Sequence, residues 1–131
     1  MTNKLYSIFL GLQNCAWDML FNPDAGENYS PIDFIERQGP LEQANIKNKL
    51  ALIRRIENPS EWPLTVKLIR HADERIYQYT IGDFRFYFGI EGRTIHVVYA
   101  CRKVSQKAKM QDLDRAIHTL RAYVPKKDGQ K

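Results

Sequence analysis

The sequence predicts an α+β fold: a twisted antiparallel sheet packed by a helical hairpin, with a further C-terminal helix, in the order β-α-α-β-β-β-α. Three observations predict it. Apolar residues recur every three to four positions between Ser30 and Glu57, and the period drops to two after Trp62-Pro63. The helical spacing then returns from Met110 to Tyr123. At 131 residues with 44% hydrophobic content the chain has the length of one domain and enough apolar surface for one core.

Each element has its own signal. Cys15 to Phe21 reads as a short strand with Trp17, Met19 and Phe21 on one face, followed by a turn at Asn22-Pro23-Asp24-Ala25-Gly26. Ser30-Pro31 opens the first helix: the hydroxyl can cap free backbone N–H groups, Pro31 sits where its missing donor costs nothing, and Asp33 adds a favourable first-turn charge. Gly39-Pro40 closes it. A second helix is expected from about Leu41 to Glu57, with Ile46, Leu50 and Ile53 on one face, and Asn58-Pro59 ends it. Strands follow at Arg75 to Ile81, Phe84 to Ile90 and Thr94 to Cys101. Gly82-Asp83 and Glu91-Gly92-Arg93 join them by hairpin-turn chemistry, which makes a meander. The last helix is amphipathic on Leu113, Ile117 and Leu120. Residues 1 to 14 read as an N-terminal extension, 15 to 124 as the domain, and 125 to 131 as a basic tail.

Composition excludes several classes. No apolar run has the roughly 18 residues of a membrane span, so no membrane partner and a cytoplasmic location are expected. Cys15 and Cys101 are far apart and belong to no CxxC or Cys/His cluster, so neither metal nor cofactor is expected. No Ser-His-Asp set, carboxylate pair or glycine-rich phosphate loop is visible. Charge is uneven: residues 1 to 65 hold six cations against eight acids, and residues 66 to 131 fourteen against seven. A concentrated positive field suits a polyanion.

Alternation assigns the strands to faces. Phe84, Phe86 and Phe88 share a side, as do Tyr77, Tyr79 and Ile81, and Ile95, Val97, Tyr99 and Cys101, so these sets are expected to form the core. The other face, expected to be wet, carries Gln78, Arg85, Tyr87, His96 and Arg102. Arginine offers a bidentate fork for phosphate, exposed tyrosine a stacking face for a base, and histidine a proton carrier near neutral pH. The run Arg102-Lys103-Val104-Ser105-Gln106-Lys107-Ala108-Lys109 adds four cations without an acid. Ordinary surface ion pairing remains the competing reading for each of these cations.

The stretch Ile76-Tyr77-Gln78-Tyr79-Thr80-Ile81-Gly82-Asp83-Phe84-Arg85-Phe86-Tyr87-Phe88 resembles the central signature of the RelE/ParE toxin superfamily. Arg102-Lys103-Val104-Ser105-Gln106-Lys107 resembles a motif of its phage-derived, HigB-like branch, and Ser30-Pro31-Ile32-Asp33-Phe34-Ile35 that branch's helix start. The resemblance spans residues 15 to 123. It implies the toxin of a type II toxin-antitoxin system: a metal-independent endoribonuclease that cuts mRNA on the ribosome and is neutralised by a cognate antitoxin of helix-turn-helix type, with homodimerisation left open. By residue-wise carry-over, Arg85 and Arg102 would stabilise phosphate charge, with Lys103, His96 and Tyr87 as further catalytic candidates. Gln78, Gln106, Lys107 and Lys109 would contact RNA. Gln78 stands where well-characterised RelE enzymes often carry Lys. The alternative of a different class is an inactive or ParE-like module that only binds protein, either gyrase or the antitoxin.

Overall fold

The computed structural model describes residues 15–21, 31–103 and 110–124. The elements are β1 (Asp18–Phe21), α1 (Pro31–Glu36), α2 (Pro40–Arg55), β2 (Val66–His71), β3 (Glu74–Ile81), β4 (Phe84–Glu91), β5 (Thr94–Arg102) and α3 (Met110–Tyr123), with a short 3-10 turn at Pro59–Glu61. The mixed α+β class, the helical hairpin, the meander and the terminal helix all match expectation. The expected extension over residues 1 to 14, the tail after Val124, the Asn22 to Gly26 turn and the Ser30 cap lie outside the described residues.

Two features of the sheet differ from the sequence reading. Its order is β1-β5-β4-β3-β2, so a strand was missed: Val66–His71, paired antiparallel with β3 from Val66↔Tyr79 to His71↔Glu74. Lys67, Leu68 and Arg70 are exposed on this edge strand, so it has no in-out alternation to read. The sheet is also mixed, because β1 runs parallel to β5, pairing Asp18↔Thr94 to Phe21↔Val97.

The turns follow local chemistry. Gly82 and Gly92 both have φ +59 and each opens a two-residue connection, at Ile81↔Phe84 and Glu91↔Thr94, matching a turn type that demands a left-handed first residue. The β2–β3 turn asks the same of two non-glycine residues, Ala72 at φ 52 and Asp73 at φ 64.

The main core lies between the sheet and the helical hairpin. It holds Met19 and Phe21 of β1, Ile32 and Ile35 of α1, Ile46, Leu50 and Ile53 of α2, and the side of the meander bearing Tyr79, Ile81, Phe84, Phe86 and Phe88. Trp62 crosses from the end of α2 to this layer, edge-on to Tyr77 and Phe88. Its indole Nε1 donates to the carbonyls of Ile53 and Ile56, and Trp17 Nε1 donates to Ile56 O, so two tryptophans satisfy carbonyls left over at the helix C-terminus. Arg54, itself buried, donates from Nε to Trp17 O and accepts at its own carbonyl from Ala16 and Trp17 N–H, tying α2 to β1.

The opposite face of the sheet is covered as well. α3 lies across it, and Leu113, Ala116, Ile117 and Leu120 bury Ile76, Tyr87 and Val98 in a second core. Leu120 packs directly on the backbone of Gly89, where an added Cβ would stand 2.7 Å from both of its methyl carbons. A hydrogen bond and an ion pair hold the helix to the β2–β3 hairpin: His71 Nε2 lies 2.7 Å from Asp114 Oδ1, and Arg121 donates to Glu74 Oε1 at 2.7 Å from Nη2 and 2.9 Å from Nε. The expectation of a wet second face is therefore corrected. The amphipathic stripe of α3 has to be buried somewhere, and this face is where it goes.

Candidate functional site

Under the N-terminal part of α3 the face carries a buried polar group of residues. Tyr87 donates its hydroxyl to Gln78 Oε1 at 2.9 Å, and register places Gln78 directly opposite Tyr87. Arg85 lies two residues before Tyr87 on the same side, 2% exposed, and its charge acts on the Tyr87 hydroxyl. Across the strand, Tyr99 sits opposite Tyr87 with ring centroids 6.0 Å apart. Tyr99 donates to Asp112 Oδ1 at 3.1 Å, and the Cys101 thiol lies 3.8 Å from Asp112 Oδ2.

The electrostatics favour neutral hydroxyls. Burial pushes the Tyr87 hydroxyl well above the ordinary tyrosine value, with Cys101 and Asp112 adding to the shift and Arg85 opposing it. Burial, then the Asp112 carboxylate, pushes Tyr99 up in the same way. Neither phenol serves as a base near neutral pH.

The structure brings together three of the residues expected from sequence, Gln78, Arg85 and Tyr87, although they are buried rather than solvent-facing. Arg102 is not with them. Phe84 pairs with Arg102 and Arg85 with Cys101, so the two guanidinium groups belong to opposite faces of the sheet. Arg102 is exposed on the helical-hairpin side, its Cζ 5.1 Å from the centre of the Phe84 ring. The cause is a bulge: Tyr87 pairs with Tyr99 but Phe88 with Val97, which leaves Val98 as an extra residue in β5. Beyond it every side chain swaps faces relative to strict alternation. Tyr99 and Cys101, expected in the hairpin core, turn toward α3, while Ala100 and Arg102 turn to the hairpin side.

His96 shares the α3 face but lies opposite Gly89, five positions from Cys101, or roughly 16 Å along the strand. Its Nε2 is 3.2 Å from Glu91 Oε1, and burial lowers its basicity despite that carboxylate. Lys103 anchors the end of β5, its N–H donating to Asp83 O at 2.7 Å, and is half-buried. Gln106, Lys107 and Lys109 lie outside the described residues.

Sequence reasoning missed Tyr99, Cys101 and Asp112 as partners of this group, and Arg115 of α3 nearby. Phe34, Tyr99, Ala100, Cys101, Arg102 and Arg115 line an open cleft of about 340 Å³ at the β5 edge, past the point where β1 stops pairing. An acid in the first turn of α3 was visible, but the bulge that turns Tyr99 to meet it leaves no mark on the pattern. Among the described residues no cluster of three His, Cys, Asp or Glu could hold a metal, and no helix is long and apolar enough to cross a membrane. No protein-family model and no curated protein matches the chain.

Proposed function

We propose that this chain is a module of the RelE/ParE toxin type that acts by binding protein, its partner being a cognate antitoxin, rather than by cutting RNA. The reading is carried by one observation: Arg85 and Arg102, which nuclease chemistry needs on one phosphate, emerge on opposite faces of the sheet, and Arg85 is 2% exposed. A pentavalent phosphate needs donors aimed at one point, together with a base and an acid. Here the imidazole of His96 is at the far end of β5 and the two nearby phenols are held neutral. The toxin-type assignment itself rests on the motif resemblance. It is supported by an order of strand, helical hairpin, meander and terminal helix that differs from the expected one by a single added edge strand.

The test is induced expression of the wild-type chain and of Arg102→Ala, with primer extension across translated messages and co-purification of the product of any adjacent reading frame. Expected are no new 5′ ends, and equal recovery of the partner by both proteins. Message cleavage by the wild type that Arg102→Ala abolishes while remaining folded by circular dichroism would restore the mRNA interferase reading and overturn this one.

A further inference from the structure

From the free edge of the sheet we infer an interaction surface: β2 accepts an extended, acidic peptide segment of a partner protein as a sixth strand. This inference stands on the sheet edge alone and does not depend on the toxin reading.

Among the described residues no strand lies beyond β2. Thr80 N–H donates to Thr65 O, and a two-residue turn closes the hairpin at His71↔Glu74, so Lys67, Ile69 and His71 make the ladder bonds to β3. The backbone groups of Val66, Leu68 and Arg70 then point outward. Val66 N–H is already taken by Pro63 O, which leaves the N–H groups of Leu68 and Arg70 and three carbonyls directed away from the sheet. Such an alternating row of donors and acceptors is matched by an added strand.

Side chains on the edge specify the charge of that strand. Arg70 and Arg75 are a directly opposed cross-strand pair, both exposed, with no ion pair to either among the described residues. Like charges placed opposite one another in a sheet are unfavourable. Lys67, also exposed, adds a third cation on the other face, and the one acid of the hairpin ladder, Glu74, is engaged by Arg121. Between the cations sits Leu68, an exposed apolar side chain, 45% accessible. A strand with acids opposite Lys67 and Arg70 and an apolar residue opposite Leu68 would relieve the arginine repulsion and cover the leucine. A second copy of the chain would bring three more cations to the same edge, which disfavours self-pairing.

The test follows amide exchange by NMR on the full chain, with the capped peptide Thr-Glu-Val-Val-Glu-Thr as probe and Thr-Lys-Val-Val-Lys-Thr as its charge-reversed control. Expected is a slowing of the Leu68 and Arg70 amides by about tenfold or more with the acidic peptide, as for groups that enter a ladder, and no response to the basic one. The double variant Lys67→Glu/Arg70→Glu should reverse the preference. Should that variant fold poorly, loss of the wild-type response in high salt gives the same information. Equal responses to both peptides, no response to either, protection that grows with protein concentration alone, or equal protection by single-stranded oligouridylate would each overturn the inference.

Discussion

Leu120 of α3 rests on the bare backbone of Gly89 in β4, so close that a single methyl at that position would collide with both of its terminal carbons at 2.7 Å. This contact sets how near the terminal helix lies to the sheet, and with it how deeply Tyr87 and Ile76 are covered. Gly89→Ala is expected to push α3 outward and destabilise the protein by about 1–3 kcal/mol, the usual cost of overpacking. The double variant Gly89→Ala/Leu120→Ala should be less destabilised than the sum of the two single losses, a non-zero coupling energy in a urea-denaturation cycle.

The Tyr87–Gln78 hydrogen bond is buried, and its two halves are unequal to remove. Tyr87→Phe leaves Gln78 Oε1 without that donor and is expected to cost about 1–3 kcal/mol. Tyr87→Phe combined with Gln78→Leu removes both members and should be less destabilising than the sum of the singles. Chemical denaturation of the four proteins checks this. Additive losses would mean that the bond contributes little.

His96 gives the protein a dependence on acid. Its folded-state basicity lies below the ordinary value of 6.5 because burial opposes the charged ring. The unfolded chain therefore binds more protons in this region, so the contribution is fully present above pH 6.5 and is lost as pH falls toward the folded value. The wild type should lose stability as pH falls below 6.5, with a slope of at most about 1.4 kcal/mol per pH unit from this one group. His96→Gln, which keeps a polar contact to Glu91 without titrating, should flatten that slope in unfolding curves taken at successive pH values.

The β2–β3 turn carries avoidable strain, since Ala72 and Asp73 both occupy left-handed backbone. Asp73→Gly, alone or with Ala72→Asn, is expected to stabilise the protein by about 0.5–1 kcal/mol, because these residues suit the required turn. A thermal melt at fixed pH reads the gain, and an unchanged or lowered midpoint would contradict it.

Much of the scaffold was legible because short-range chemistry dictated it. The expected start at Met110 and end at Tyr123 coincide with those of α3, and Ile46, Leu50 and Ile53 are fully buried along the stripe that marked them. Gly82 and Gly92 opened hairpins as their turn chemistry required. What stayed hidden depended on long-range pairing. β2 has charged and apolar residues on both faces because its position at the edge asks for no alternation. The parallel docking of β1 on β5 joins segments about 75 residues apart in sequence, beyond the reach of any local pattern. The candidate site was half legible for the same reason: Gln78, Arg85 and Tyr87 were grouped correctly by alternation within uninterrupted strands. Arg102 was misplaced because parity was counted straight through Val98.

That one surplus valine acts as a parity device for the end of the sheet. Upstream of it β5 follows the ordinary odd-even rule, and downstream the rule is inverted. Removing Val98 would let the pairs Phe88↔Val97 and Tyr87↔Tyr99 follow one another directly, with Tyr99 and Cys101 still toward α3 and Arg102 still on the hairpin side; ironing out the bulge with Val98 kept in the ladder would instead send the Arg102 guanidinium under α3. Which cations share a surface in this protein is therefore governed by the register of β5 on β4 beyond Val98, so a one-residue slip of that pairing would redraw the charged surface more than most substitutions could.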